Sequence, residues 1–196
     1  MTRAQAHKLL LAHMTQTNLI RHCYAVEAVM KSLALRLNPG LSEAATKEIV
    51  DKWGVVGLLH DGDYEETKLT PEKHTLVMAD WLKKEGVSDK VILDAILSHN
   101  YAHTGQNPPK NNLEWALYCC DELTGFIVAI TLVRPDKKLS SVSIQSVLNK
   151  WDEKAFAAGV KREQIKECEG RLGISLNEFI QIALFAMQGI SDDLGL

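Results

Sequence analysis

Apolar side chains recur every three or four positions along this chain, and no run alternates polar with apolar as a half-buried strand does. A chain patterned this way is expected to be all-α, a single compact helical bundle. Start and stop signals divide it. Asn18 can cap a segment reaching about Leu37, stopped by Asn38-Pro39-Gly40. Ser42 can cap the next, through Trp53; Gly54 is expected to interrupt it, leaving Val55–His60 as a short buried piece. Thr70-Pro71 predicts a helix ending near Gly86, and Ser88 one ending near Asn100. A turn-rich loop, Ala102–Asn111, precedes a helix opened by Asn111 or Asn112 and running to about Leu132. Val142–Trp151, Arg162–Leu172 and Leu176–Gly189 complete the chain. No linker or repeat divides its 196 residues, so residues 1–196 read as one domain.

Composition removes several classes of function. With 46% hydrophobic and 24% charged residues the chain is neither disordered nor collagen-like. A net charge of −3 provides no global basic field for a nucleic acid polymer. The apolar stretch Gly125–Val133 falls short of the roughly 20 residues that span a bilayer. Met1–His13 lacks the apolar core and cleavage site of a signal peptide. Four cysteines, Cys23, Cys119, Cys120 and Cys168, show no CxxC spacing and read as reduced thiols of a cytoplasmic protein.

All seven histidines lie within the first 103 residues. His22 falls in the stripe Leu19, Cys23, Val26, Met30. His60-Asp61 ends the apolar run Val55–Leu59. His74 is expected to share a helical face with Val77, Met78 and Trp81, His99 with Ile92, Ala95 and Ile96, and Asp121 with Leu117, Gly125 and Val128. A lone histidine on such a face is usually a hydrogen-bonded core residue. A buried carboxylate needs a cation, and no lysine or arginine shares the stripes of Asp61 and Asp121. A divalent metal would supply that charge. Imidazole with carboxylate suits manganese, iron, cobalt, nickel or zinc better than an all-oxygen calcium site.

The order His22, His60-Asp61, Asp121 on helices resembles the HD superfamily of metal-dependent phosphohydrolases. The resemblance implies that these four residues bind one divalent metal, with magnesium added to the candidate ions. It also implies that His74 and His99 complete a second metal site bridged by Asp61, or else serve around a single metal as hydrogen-bond donors behind its ligands or as phosphate contacts. The metal-site core would span about 18–135, with helices of 140–190 packing on it. The doublet continues Gly62-Asp63-Tyr64-Glu65-Glu66, and His99 is followed by Asn100, unlike the cyclic-dinucleotide phosphodiesterases of the superfamily. The pair Glu65-Glu66 is similar to that of the guanosine tetraphosphate hydrolases but sits one residue further on.

The implied chemistry is hydrolysis of a small phosphorylated molecule, a nucleotide or other phosphomonoester, by metal-activated water. Asp61 and Glu65 are the expected catalytic residues, with Glu65 preferred over Asp63 and Glu66 as the acid. Arg21, Lys68, His103 and Lys110 are candidate substrate contacts, whereas His7 and His13 read as structural or exposed. Two alternatives share the ligand set. One is a di-iron oxygenase, as in proteins resembling inositol oxygenase. The other is a non-catalytic metal- or nucleotide-binding module. Oligomeric state is not legible.

Overall fold

The computed structural model describes residues 1–196, and every regular element in it is helical. A short N-terminal helix, α1 (Arg3–His13), leads into α2 (Thr17–Leu37), which pairs with α3 (Glu43–Leu59) across the Asn38–Gly40 turn. Then follow α4 (Tyr64–Thr67), α5 (Leu76–Lys84), α6 (Lys90–His99), α7 (Tyr101–Thr104) and the long α8 (Asn112–Leu132). The chain ends with α9 (Ile144–Trp151), α10 (Arg162–Leu172), α11 (Leu176–Gln188) and α12 (Ser191–Leu194).

Side-chain oxygens satisfy the free amides that start the helices. Ser42 accepts from the Ala45 N–H, Asn111 from Glu114, and Ser175 from Glu178. Asp89, not Ser88, caps α6 by accepting from Val91. Gly54 does not interrupt α3. Glycine costs a helix about 1 kcal/mol, but here it allows close packing. A Cβ at Gly54 would press into the Lys31 side chain, and one at Gly57 would lie 2.9 Å from the Val26 carbonyl oxygen of α2. The expected helix from Thr70-Pro71 is also corrected. Pro71–Lys73 forms only a 3-10 turn, Thr70 makes no capping bond, and α5 restarts at Leu76. The loop expected over Ala102–Asn111 is shortened by α7.

One core of 45 buried residues runs from Ala6 to Leu194. At its centre α8 packs on α2, α6, α9, α10 and α11. By length and mean hydropathy (1.4) α8 could cross a bilayer, although the longest unbroken apolar stretch falls short; 56% of that window is buried inside the protein, as in a core helix. The four cysteines are buried and unpaired.

Candidate metal centre

Five segments bring six side chains together. His22 comes from α2, His60 and Asp61 from the end of α3, His74 from the break before α5, His99 from the last residue of α6, and Asp121 from the middle of α8. His60 is fully buried, and the other five retain only partial or slight exposure.

The break that delivers His74 follows from local chemistry. His74 is extended (ψ 139°) and Thr75 takes a left-handed conformation at φ 69°, strained for a β-branched residue. Asp63 and Asn100 hold this turn. The buried Asp63 carboxylate accepts from the Met78 N–H at 3.0 Å, covering the start of α5, and from His74 Nδ1 at 2.7 Å. The Asn100 side-chain amide donates to the carbonyls of Pro71 and His74. His74 therefore reaches the cluster from a strained turn and not from the helical face expected of it.

Two groups of donors meet at Asp61. Its Oδ2 lies 3.7 Å from His22 Nε2 and 3.6 Å from His60 Nε2. Its Oδ1 lies 3.2 Å from His74 Nε2 and 3.1 Å from His99 Nε2. Asp121 Oδ1 faces His22 Nε2 at 2.9 Å and His60 Nε2 at 3.6 Å. The two nitrogens of His22 and His60 are 3.2 Å apart.

The outer ring nitrogens decide what these inner atoms carry. His60 Nδ1 donates to the Gly57 carbonyl at 2.8 Å, and His74 Nδ1 donates to Asp63. Thr124 Oγ1 donates to the Asp121 carbonyl, so it accepts from His22 Nδ1 at 3.4 Å. Neutral rings held this way turn an Nε2 lone pair toward carboxylate oxygens and toward each other. Acceptor then faces acceptor unless a cation lies among them. Donors bound to one ion at about 2.0–2.2 Å lie roughly 3 Å apart, close to the separations here. The donor set fits one or two divalent metals, and all six residues expected to bind metal belong to it.

Protons are the other source of positive charge. Burial opposes protonation of His22, but Asp121 and Asp61 outweigh it and raise its pKa to about 9. Burial likewise opposes His74, and Asp61 and Asp63 lift it to about 10. Burial pushes His99 down. Burial would raise both aspartates; neighbouring histidines instead hold Asp61 and Asp121 well below the usual carboxylate range.

A cavity of about 130 Å³ opens on Asp61, His74, His99 and Asp121. His103 lines it, as do Tyr64, Glu122, Lys161 and Gln164, none of which was singled out from sequence. The other expected contacts are placed elsewhere. Glu65 accepts from the backbone amides of Thr15 and Gln16 at 2.9 and 2.6 Å, so it anchors the start of α2 rather than lining the cavity. The Arg21 guanidinium packs on Gly195 near the C-terminus. Lys68 is exposed beside α4, and Lys110 is exposed with its amide bonded to Glu114. His7 bonds Tyr24 and His13 stacks on Trp81, both outside the cluster. Only Asp63 carried a usable signal, because a buried ligand histidine needs an acceptor behind it.

The family model for the HD domain matches residues 19–139, over half of the chain and all six donors. No curated protein and no solved structure matches the chain.

Proposed function

The chain belongs to the HD-domain family, and from that premise we propose that it is a metal-dependent phosphohydrolase acting on a small phosphorylated molecule. The observation that carries this reading is the set of imidazole Nε2 atoms facing Asp61 and Asp121 at 2.9 to 3.7 Å, with the outer nitrogens of His22, His60 and His74 tied back. His22, His60, Asp61 and Asp121 would hold one divalent ion, and His74 and His99 with Asp61 a second. Such ions acidify a water and offset phosphoryl charge.

The protein's own part is to position and to exclude. Gly57, Asp63 and Thr124 fix three rings from behind, so the donors are already aligned. Burial of His60 and the small cavity limit solvent around the cluster. In the reaction, water oxygen joins phosphorus, the ester P–O bond breaks, and the leaving alcohol oxygen takes a proton. Glu122, at the cavity, is better placed than Glu65 to face that oxygen. Four unpaired buried thiols suit a reducing compartment such as the cytoplasm.

The test is metal content per chain, together with hydrolysis of a panel of phosphomonoesters, for wild type, Asp61→Ala and His74→Ala. The expected result is bound metal and metal-dependent phosphate release in wild type. Asp61→Ala should lose both, and His74→Ala should lose one equivalent of metal. No metal after soaking in manganese, iron, cobalt and zinc would overturn the reading. Bound iron with oxygen uptake and no phosphate release would transfer the site to oxygenase chemistry. Metal bound without turnover would leave a binding module.

A further inference from the structure

Part of the cavity wall comes from α10, beyond the matched family region. Lys161, at the cap position of α10, and Gln164 in its first turn both line the cavity. No side chain caps this helix, and the amides of Arg162 and Glu163 have no protein acceptor. The positive end of an 11-residue helix thus begins at the cavity. The Lys161 amide is held by Glu122 Oε2 at 3.1 Å.

The segment before it is clamped. The Arg162 guanidinium donates to the carbonyls of Trp151 at 2.7 Å, Phe156 at 2.8 Å and Glu153 at 3.2 Å. It also lies over the Phe126 ring. The start of α10 is therefore fixed relative to α8 and the donor cluster.

Gln164 supplies an independent observation. It is 7% exposed, and its Nε2 donates to the Tyr118 carbonyl at 2.7 Å. That bond fixes the amide orientation and leaves Oε1 as a buried acceptor with no partner. A buried acceptor without a donor is costly to maintain. Gln164 lines the cavity, so a ligand that brings a donor there would meet that need after a small shift of the side chain. His103 also lines the cavity, and partial burial with the nearby Lys161 charge lowers its pKa, which favours a neutral ring that can bond a phosphoryl oxygen.

Size adds a limit. A cavity of about 130 Å³ equals roughly four waters at about 30 Å³ each. A phosphoryl group and a few further atoms fill that space, and any larger part of a substrate would extend past its rim.

We propose that Lys161 and the uncapped start of α10 form an anion subsite for the substrate's phosphoryl oxygens. Gln164 Oε1 accepts a hydrogen bond from a hydroxyl or amine on a short alcohol chain. The substrate class is then a short hydroxylated or aminated alkyl phosphomonoester. This inference rests on the phosphohydrolase reading for its substrate and on α10 for its subsite.

The test uses the full-length protein with the metal it retains. Calorimetry measures inorganic phosphate binding for wild type, Lys161→Ala, Lys161→Arg and Gln164→Leu, with thermal unfolding and metal content as controls. Glycerol phosphate, propyl phosphate and adenosine monophosphate are compared by kcat/KM, or by dissociation constant where no turnover is seen. Lys161→Ala should weaken phosphate binding about tenfold, and Lys161→Arg should recover most of it. Wild type should prefer glycerol phosphate to propyl phosphate by roughly tenfold, and Gln164→Leu should erase that preference while keeping phosphate affinity. Phosphate binding indifferent to Lys161, no preference between the two alkyl esters in wild type, or stronger use of adenosine monophosphate would each overturn the inference. Lys161-dependent phosphate binding without hydrolysis of any ester would instead overturn the hydrolase reading and leave the subsite standing. Since Lys161 is exposed, its variants decide the subsite even if Gln164→Leu fails to fold.

Discussion

Asp63 uses both carboxylate oxygens, one on His74 and one on the amide that starts α5. Removing a partner behind a metal-binding imidazole typically costs 10–100-fold in metal affinity. Asp63→Asn retains the shape and one acceptor, so it should fold. We expect its metal affinity to fall by about that range, read by competition with a chelating dye. Unchanged affinity would mean that His74 is not held for a metal. The raised pKa values of His22 and His74, about 9 and 10, have a definite sign. In metal-free protein both rings keep their protons at neutral pH, and a metal must displace them. Apparent affinity should therefore rise with pH from 7 toward 9, by at most about two decades per unit. A flat profile from the same competition at pH 7, 8 and 9 would contradict this. At this scale His22, His99 and Asp121 were legible from apolar stripes without a cation and His60-Asp61 from the apolar run it ends, whereas His74 was reached through a helical face that the structure replaces with a turn. Glu65 was misplaced because a carboxylate that anchors free amides and one that delivers a proton look alike in sequence. Lys161 and Gln164 were not legible. Each is an ordinary polar residue locally, and only the approach of α10 to α8 gives it a role.

Helix contacts explain the two glycines of α3 and separate their predicted costs. A Cβ at Gly57 would meet backbone, 2.9 Å from the Val26 oxygen and 3.0 Å from Glu27 Cα. Backbone cannot step aside, so Gly57→Ala should destabilise by about 1–3 kcal/mol. It should also lower metal affinity, because the Gly57 carbonyl holds His60. A Cβ at Gly54 would meet only the side chain of Lys31, which can swing away. Gly54→Ala should be near neutral, since better helix propensity offsets the contact. Urea unfolding of both variants checks the contrast, and equal losses would refute it. The same contacts explain why sequence signals succeeded unevenly. Caps at Ser42 and Asn111 act through bonds within one turn, so they were readable. Gly54 and Thr70-Pro71 were misread because packing against α2, and the hold of Asp63 and Asn100 on the His74 turn, outweigh local propensity.

On the scale of the whole molecule, the histidines are confined to the first 103 residues, whereas the core that holds them continues to Leu194. The last imidazole is His103, yet α10 and α11 fill the core with Ile165, Phe179, Ile180, Leu184 and Met187, each no more than 1% exposed. Burying such a side chain is worth about 1.5–3 kcal/mol, so these five account for roughly 7–15 kcal/mol. Net stability of a domain is itself only about 5–15 kcal/mol. A fragment ending at residue 140 would keep every candidate metal-binding residue and lose stabilisation as large as its whole margin. It would also bare the faces of α2 and α8 that α11 covers. The expected outcome is an aggregating or unfolded 1–140 fragment with little helical circular dichroism and no tight metal binding, whatever ions are supplied. Size-exclusion chromatography with metal analysis of the eluted peak reads this directly. A monodisperse helical fragment that retains metal would show instead that the C-terminal helices shape the cavity without holding the bundle together. The role of α10 at the substrate would then be separable from any role in folding.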